Sequence, residues 1–274
     1  MNTHPFVDVH DLGHDYPQGK IVHRVLDKVD FTAAHGEVVC IVGPSGVGKT
    51  TLLRSIGGLQ RPTRGQVTIN GTALEGPSNV VGLVFQDYSR SLFPWLSVLD
   101  NVTIPLRGRC SRTERTQRGR SALREVGLLD AASKRPWELS GGMQQRVAIA
   151  RALVYQPAVL LMDEPFASVD AQTRADLEDL VLRVRADLDQ TVVLITHDID
   201  EAVYLADRVI VLHGSPASVI AEILVPLGAA RDQVTTRSTP EFAQLRAEVH
   251  QFVRHGQQPT PNHHVDTREQ RCAS

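Results

Sequence analysis

Cysteine is scarce in this sequence of 274 residues, which contains only three. Cys40, Cys110 and Cys272 lie far apart and lack the spacing of a disulfide framework or of a metal site. Cys40 stands in an apolar run, where we expect it to be a small buried hydrophobe. The absence of paired cysteines favours a reducing, intracellular compartment.

Long apolar runs are also missing. No stretch approaches the ~18 consecutive apolar residues of a membrane span. The N-terminus has no basic region followed by an apolar one, so we expect no signal peptide and a cytosolic protein. Any role at a membrane then depends on a partner protein.

Neither sign of charge is in excess, because 29 basic residues face 31 acidic ones and the formal net charge is -2. A dedicated nucleic-acid-binding protein would usually be more basic, so that class is disfavoured. Apolar residues make up 42% of the chain and charged residues 22%. This balance is typical of a soluble globular protein.

Apolar periodicity divides the chain into three zones. Residues 1–86 favour strands with one helix after Gly48, residues 87–154 favour helices, and residues 157–225 return to alternating strands and helices. The strand–helix–strand order of the last zone predicts a parallel sheet. The predicted strands are 38–42, 65–70, 80–85, 158–162 and 192–195. The predicted helices are 98–104, 113–126, 141–155, 172–189 and 241–254.

The chain beyond the last predicted helix contains Gln, Pro and His, and we expect a mobile tail there. Its neighbouring residues His263 and His264 could bind a metal, but a solvated pair is the simpler expectation.

A glycine-rich segment after the apolar run 38–42 matches the pattern G-x-x-x-x-G-K-[ST]. Glycines allow the backbone N–H groups to surround phosphate oxygens, and the helix N-terminus that follows favours anions. In this pattern Lys49 reaches the β- and γ-phosphates and the Thr50 hydroxyl binds Mg²⁺. The segment predicts nucleotide binding but does not identify the enzyme. The predicted phosphate-binding residues are Gly43, Pro44, Ser45, Gly46, Val47, Gly48, Lys49, Thr50 and Thr51.

Two adjacent carboxylates end the apolar strand predicted at 158–162. Asp163 is expected to help hold Mg²⁺, as the carboxylate at this place does in phosphate-loop enzymes. Glu164 points elsewhere and is expected to polarise the attacking water as general base. The simpler alternative is a strand end with two solvated acids.

The octet Leu-Ser-Gly-Gly-Met-Gln-Gln-Arg at 139–146 closely resembles the signature motif of ABC ATPases. A serine and two glycines precede a helix whose first N–H groups are free. Such a helix N-terminus can bind an anion, as the one after the glycine-rich segment does. A helix cap with a glycine turn would explain the serine but not the whole octet. The resemblance implies that Ser140, Gly141, Gly142 and Gln144 contact nucleotide bound to a second copy of the chain.

Four further residues acquire roles through the same resemblance, which covers about residues 6–225. Gln86 resembles the glutamine that touches Mg²⁺ and water, and His197 resembles the histidine that contacts the γ-phosphate. Asp170 ends a segment, 167–170, that departs from the family's usual Ser-Ala-Leu-Asp at its first three positions. Tyr16 resembles the aromatic that stacks on adenine. Without the resemblance, Gln86 and His197 would simply close two strands.

The resemblance implies an α/β fold: a phosphate-loop NTPase core with a parallel sheet, additional antiparallel strands and an inserted α-helical subdomain. Residues 1–226 would form the ATP-binding domain, with the helical subdomain at about 87–154. Residues 227–274 would form a C-terminal helix and tail. ATP and Mg²⁺ are the implied cofactors.

A finer similarity lies at 92–102, Leu-Phe-Pro-Trp-Leu-Ser-Val-Leu-Asp-Asn-Val, which is similar to ATPases of nitrate, sulfonate and taurine importers. In that family this region receives the coupling helix of a permease, and an exposed Pro-Trp pair suits a docking surface. The alternative is that Trp95 belongs to the core of the helical subdomain.

The resemblance implies a homodimer of ATPase subunits on integral membrane permease subunits, served indirectly by a solute-binding protein. Such a protein would lie peripherally on the cytoplasmic face of the membrane and would not bind nucleic acid. The competing hypothesis is a soluble ABC ATPase that acts on nucleic acid or ribosomes, which near-neutral charge and a single cassette disfavour. An exporter half-transporter would usually carry its own membrane spans. The solute stays open, with sulfonate-type anions favoured by resemblance alone.

Overall fold

The computed structural model describes residues 5–19, 21–87 and 91–256. Its strands form one ten-stranded sheet in the order β5-β4-β1-β2-β10-β9-β3-β8-β7-β6. The strands are β1 (Val7–Gln18), β2 (Ile21–Ala33), β3 (Val38–Val42), β4 (Arg64–Ile69), β5 (Thr72–Ala73), β6 (Val81–Val84), β7 (Val159–Asp163), β8 (Thr191–Ile195), β9 (Arg208–Gly214) and β10 (Ala217–Leu224).

Seven α-helices connect or cover these strands within the described ranges. They are α1 (Lys49–Ile56), α2 (Val98–Thr103), α3 (Arg112–Glu125), α4 (Gly141–Leu153), α5 (Ala171–Leu188), α6 (Ile199–Leu205) and α7 (Pro240–His255). The described chain between β6 and β7 holds helices α2, α3 and α4 and no strand.

The sheet has a parallel half and an antiparallel half. Strands β6, β7, β8, β3 and β9 pair in parallel, while β1 pairs antiparallel with both β2 and β4. The antiparallel β9–β10 hairpin joins the two halves, because β10 also meets β2. The prediction of an α/β phosphate-loop fold with added antiparallel strands is confirmed.

The parallel half is covered on both faces, which explains its continuous apolar strands. In β3, Val38, Cys40 and Val42 pack into one core, and Val39 and Ile41 pack into the other. Helix α1 lies on the second face, whereas α5, α6 and α7 cover the first. Cys40 is fully buried, as its apolar surroundings predict, and burial raises the pKa of its thiol.

The carboxyl ends of the parallel strands meet at one edge of the sheet, where open α/β folds bind ligands. The predicted phosphate loop follows β3, and Asp163 is the last residue of β7. Gln86 lies two residues after β6, and His197 lies two residues after β8. The topology therefore brings sequence-distant candidates to one place.

Most predicted elements are present with ends shifted by one or two residues. Helix α6 was not predicted, since its seven residues are too few for a clear periodic pattern. Cys272, His263 and His264 lie outside the described residues, and the domain boundary at 226 stays a prediction. None of the helices in the described ranges is long and apolar enough to cross a membrane.

Candidate active site

The phosphate loop depends on glycine at three positions. Gly46 and Gly48 have φ of +77° and +110°, in the region that L side chains rarely adopt. A Cβ at Gly43 would lie 2.4 Å from the backbone oxygen of Leu212. Gly48 is the N-cap of α1 and has no side chain that could cap the helix. The first N–H groups of α1 are therefore available to bind an anionic ligand.

Lys49 closes this loop from inside. Its side chain is only 6% exposed, and its Nζ donates to the backbone oxygens of Gly43 at 2.8 Å and Pro44 at 3.1 Å. Burial lowers the Lys49 pKa, against the opposing charges of Glu164 and Asp163. In a nucleotide complex, phosphate oxygens would take the place of these two carbonyls as the hydrogen-bond acceptors of the Lys49 ammonium group.

The residues predicted to hold Mg²⁺ present hard oxygen ligands side by side. Asp163 is buried, which raises its pKa, and the charge of Glu164 adds to this rise. The Thr50 hydroxyl hydrogen-bonds the Asp163 carboxylate. The described residues contain no cluster of three or more His, Cys, Asp or Glu that could hold a metal. One hydroxyl and one carboxylate suit Mg²⁺, which completes its coordination with substrate phosphates and water.

Glu164 lies at the centre of the predicted catalytic group. Its Oε2 accepts a hydrogen bond from Gln86 Nε2 at 3.1 Å and lies 3.1 Å from His197 Nδ1. Its backbone has φ of +42°, and its N–H donates to the carbonyl of Ile195 on β8. A non-glycine residue held at positive φ stores strain of about 1–3 kcal/mol, which clusters at functional sites. The structure thus joins three residues that the sequence separates by up to 111 positions (197 minus 86).

Tyr16 lies beside the start of α1. Its hydroxyl is 3.3 Å from Thr51 Oγ1 and also bonds the Gln60 side chain, which in turn contacts His14. The Tyr16 side chain is 36% exposed, so it has surface free for stacking. Gln60 was missed by the sequence reasoning, because no motif marks it.

The signature segment is organised by its own local bonds. The Ser140 hydroxyl caps α4 by accepting from the Met143 N–H at 3.4 Å, and Gln144 Nε2 donates to the carbonyls of Pro136 and Leu139. A Cβ at Gly142 would lie 2.2 Å from Cγ2 of Thr173 on α5. The helix cap gives a structural reason for serine at position 140, and the close approach of Thr173 gives one for glycine at position 142. A contact of either residue with nucleotide stays a prediction.

Asp170 caps α5, the helix that packs on Gly142. Its Oδ1 accepts from the Thr173 N–H at 3.0 Å and its Oδ2 from the Thr173 hydroxyl at 2.7 Å. These bonds lower the Asp170 pKa. The same threonine therefore contacts both the signature helix α4 and Asp170, which ends the segment 167–170.

A buried acid behind His197 was also missed. Glu201 is 4% exposed, and its Oε2 accepts from the Thr196 hydroxyl at 2.6 Å. Asp198 caps α6 and is followed three residues later by Glu201, a spacing that could have predicted the start of this helix.

Glu201→Gln is expected to stabilise the protein at pH 8 and to change little at pH 5. Burial raises the Glu201 pKa from an ordinary 4.5 to about 7, against the Thr196 hydrogen bond. Between these values the folded state holds a proton that the unfolded state releases, so the free energy of unfolding falls as pH rises. Removing the charge should recover about 1–3 kcal/mol above pH 7.

Thermal unfolding at pH 5 and pH 8 checks this, with Asp200→Asn as the control because Asp200 is an exposed neighbour on the same helix. An equal shift in Tm at both pH values would contradict a buried, titrating Glu201.

A phosphate loop after β3, a carboxylate at the end of β7 and a second acid held by a glutamine and a histidine define a phosphate-loop nucleoside triphosphatase. Comparison gives the family: residues 26–167 match the family described as ABC transporter. The chain belongs to the ABC transporter ATPases, which bind and hydrolyse ATP.

Several relatives match over most of the chain. The nitrate import ATP-binding protein NrtD of Synechococcus elongatus is 40% identical over 88% of this chain and 89% of its own length. The aliphatic sulfonates import ATP-binding protein SsuB 2 of Burkholderia cenocepacia is 46% identical over 82% of this chain and 80% of its own. The dimeric ATP-binding cassette MJ0796, solved with ADP and Pi, is 34% identical over 80% of this chain and 98% of its own, with a TM-score of 0.70.

Proposed function

We propose that this chain is the ATP-hydrolysing subunit of an ABC importer for a small solute. The observation that supports the hydrolytic part is the Gln86–Glu164–His197 group, with both contacts to Glu164 at 3.1 Å, next to the phosphate loop. The import role is supported by relatives that are named import ATP-binding proteins and match along most of the chain.

Hydrolysis in this proposal needs positioning and neutralisation of charge more than covalent chemistry. Lys49 would move from its two carbonyl partners to the phosphates, and Thr50, Gln86 and Asp163 would hold Mg²⁺. When bound, Mg²⁺ would neutralise charge on the phosphates. Glu164 would polarise the attacking water. Gln86 and His197 would hold the Glu164 carboxylate and the γ-phosphate in place.

The active unit is proposed to be a head-to-tail homodimer with two composite sites. The dimeric MJ0796 cassette supports a dimer for this fold. Each ATP would lie between the phosphate loop of one copy, with Tyr16 on its adenine, and Ser140, Gly142 and Asp170 of the other. ATP contacts both copies only when they are closed, so it has the differential affinity that a switch requires.

A membrane permease is the proposed partner, and the subunit would lie peripherally on the cytoplasmic face. Trp95 is 66% exposed, so the alternative that it belongs to the core of the helical subdomain is wrong; its ring packs on Phe93, with centroids 5.5 Å apart. Buried Asn101 bonds both backbone groups of Phe93, and Arg135 donates to the Trp95 carbonyl. These bonds hold the exposed ring in a rigid turn, which suits docking of a permease helix.

Trp95→Asp is expected to weaken assembly with the permease and to spare the ATPase activity of the free subunit, because an exposed charge there opposes apolar docking. Co-purification with the permease checks this. Leu224→Asp is the matched control, since Leu224 is 69% exposed and ends β10 on another part of the surface. Unchanged assembly of the Trp95 variant would refute docking through this residue.

The solute is proposed to be a small oxyanion, first of all an alkanesulfonate. Relatives named for nitrate, aliphatic sulfonates and bicarbonate support the wider class. The solute would contact a solute-binding protein and the permease rather than this chain.

Growth of a deletion strain tests the proposal, on taurine or alkanesulfonates as sole sulfur source, nitrate as sole nitrogen source, and limiting bicarbonate. Loss of growth on one of them, restored by the wild type but not by Lys49→Ala, would identify the solute. Salt-sensitive binding to nucleic acid, with normal growth throughout, would favour the soluble class instead.

A further inference from the structure

Hydrogen bonds among four residues hold together the loop at 196–201, which contains His197 and the first residues of α6. The Thr196 hydroxyl donates to Glu201 and accepts from the Asp198 N–H at 2.9 Å. Asp198 Oδ1 accepts from the N–H groups of Asp200 and Glu201. These hydrogen bonds fix residues 196–201 relative to one another. The position of this loop as a whole then depends on its contacts with other elements.

Arg174 of α5 holds this unit from outside. Its Nη1 lies 3.1 Å from Asp198 Oδ2, and its Nε lies 3.6 Å from Glu201 Oε1. One guanidinium thus faces the two acids that follow His197. Its Nε is nevertheless buried without a hydrogen-bond partner in the described chain.

A competing acid lies one turn further along the same helix. Glu178 is 1% exposed, and residues four apart on a helix are neighbours. Its Oε1 is a buried acceptor for which the described chain offers no hydrogen bond. A donor of Arg174 and an acceptor of Glu178, each without a hydrogen bond in the described chain, therefore lie on adjacent turns.

The Glu178 carboxylate is bound by two side chains from the segment between β10 and α7. Its Oε2 accepts from Arg237 Nη2 at 2.6 Å and from Gln233 Nε2 at 3.0 Å. The Arg237 guanidinium also lies over the ring of Tyr204 in α6, 4.7 Å from its centroid. Arg237 lies outside residues 26–167, which match the family.

We propose that Arg237 is a positioning residue for His197, because it neutralises Glu178 and so leaves Arg174 free to hold Asp198 and Glu201. Without Arg237, an uncompensated buried carboxylate attracts Arg174 through the two unpaired atoms. The loop at 196–201 then loses its anchor, and His197 leaves its contact with Glu164. This inference rests on the proposed role of His197.

Steady-state ATPase assays on the full chain test the proposal with Arg237→Gln. A small displacement of a positioned group is costly, so we expect kcat to fall about tenfold or more with little change in the KM for ATP. Arg254→Gln is the matched control, because Arg254 is an exposed arginine in the last turn of α7. It should behave as the wild type.

Two double variants separate positioning from general stability. Glu178→Gln combined with Arg237→Gln removes both charges and should restore kcat to within about twofold of wild type. Arg174→Gln should lower kcat like Arg237→Gln, and their combination should lower it no further, because both act through one contact.

Wild-type turnover in Arg237→Gln would overturn the proposal, and so would a Glu178→Gln/Arg237→Gln variant that stays as slow as the single variant. Additive losses for Arg174→Gln and Arg237→Gln would overturn it as well. His197→Ala is measured beside them: if it keeps its turnover, the proposed role of His197 fails, which is a separate result.

Discussion

Glu164→Gln is expected to bind ATP with nearly wild-type affinity and to lose most of its turnover. The substitution keeps the size of the side chain and its capacity to bond Gln86, but it removes the carboxylate that would polarise water. A positioned general base contributes about 10²–10⁴-fold to a rate, so a loss of that size is expected in kcat. Trapped ATP should also hold two copies together.

ATP turnover, nucleotide binding and size-exclusion chromatography with and without ATP measure these three effects. Glu241→Gln is the control, because Glu241 is an exposed acid in the first turn of α7, outside the predicted site. Near-wild-type turnover in the Glu164 variant would refute its role as general base. Loss of ATP binding would show instead that the side chain supports the nucleotide site.

The parallel half of the fold was predictable because its signals are local. Strands β3, β7 and β8 are each buried along their whole length, so they appear in the sequence as short apolar runs. Asp163 was found because it ends such a run, whereas His197 was found through the family resemblance. The phosphate loop was found because its glycines must occupy a fixed spacing.

Other features depend on contacts between distant segments and leave no local pattern. The contact of Arg237 with Glu178 spans 59 positions, and neither residue stands in a motif. The sequence favoured an exposed Trp95 but left the core as an alternative, since an aromatic near a helix start suits either place. The packing reason for Gly142 appears only when α4 and α5 are placed together.

One turn of α5 connects the features that the sequence presents as separate motifs. Asp170 caps its start, Thr173 packs on Gly142 of the signature helix, and Arg174 holds the loop after His197. A shift of this turn would therefore move three predicted nucleotide contacts together.

Lys49→Ala is expected to remove most of the ATP affinity. Lys49 is a buried cation that bonds two loop carbonyls, and phosphate oxygens would replace those carbonyls in the complex. A hydrogen bond to a charged group contributes about 1.5–3 kcal/mol, so losing two of them should raise the Kd for ATP about 10²–10⁴-fold. Turnover at sub-saturating ATP should fall by at least the same factor.

Thermal unfolding with and without ATP gives the sharpest measurement, because a ligand at 100 times its Kd stabilises a protein by about 2.7 kcal/mol. The wild type should gain this stabilisation, and Lys49→Ala should gain almost none at the same concentration. Lys134→Ala is the matched control, since Lys134 is exposed and takes part through its backbone, whose N–H donates to the Ala131 carbonyl and whose carbonyl accepts from the Val98 N–H. Equal stabilisation of all three proteins by ATP would show that the helix N-terminus and loop N–H groups bind the phosphates without this cation.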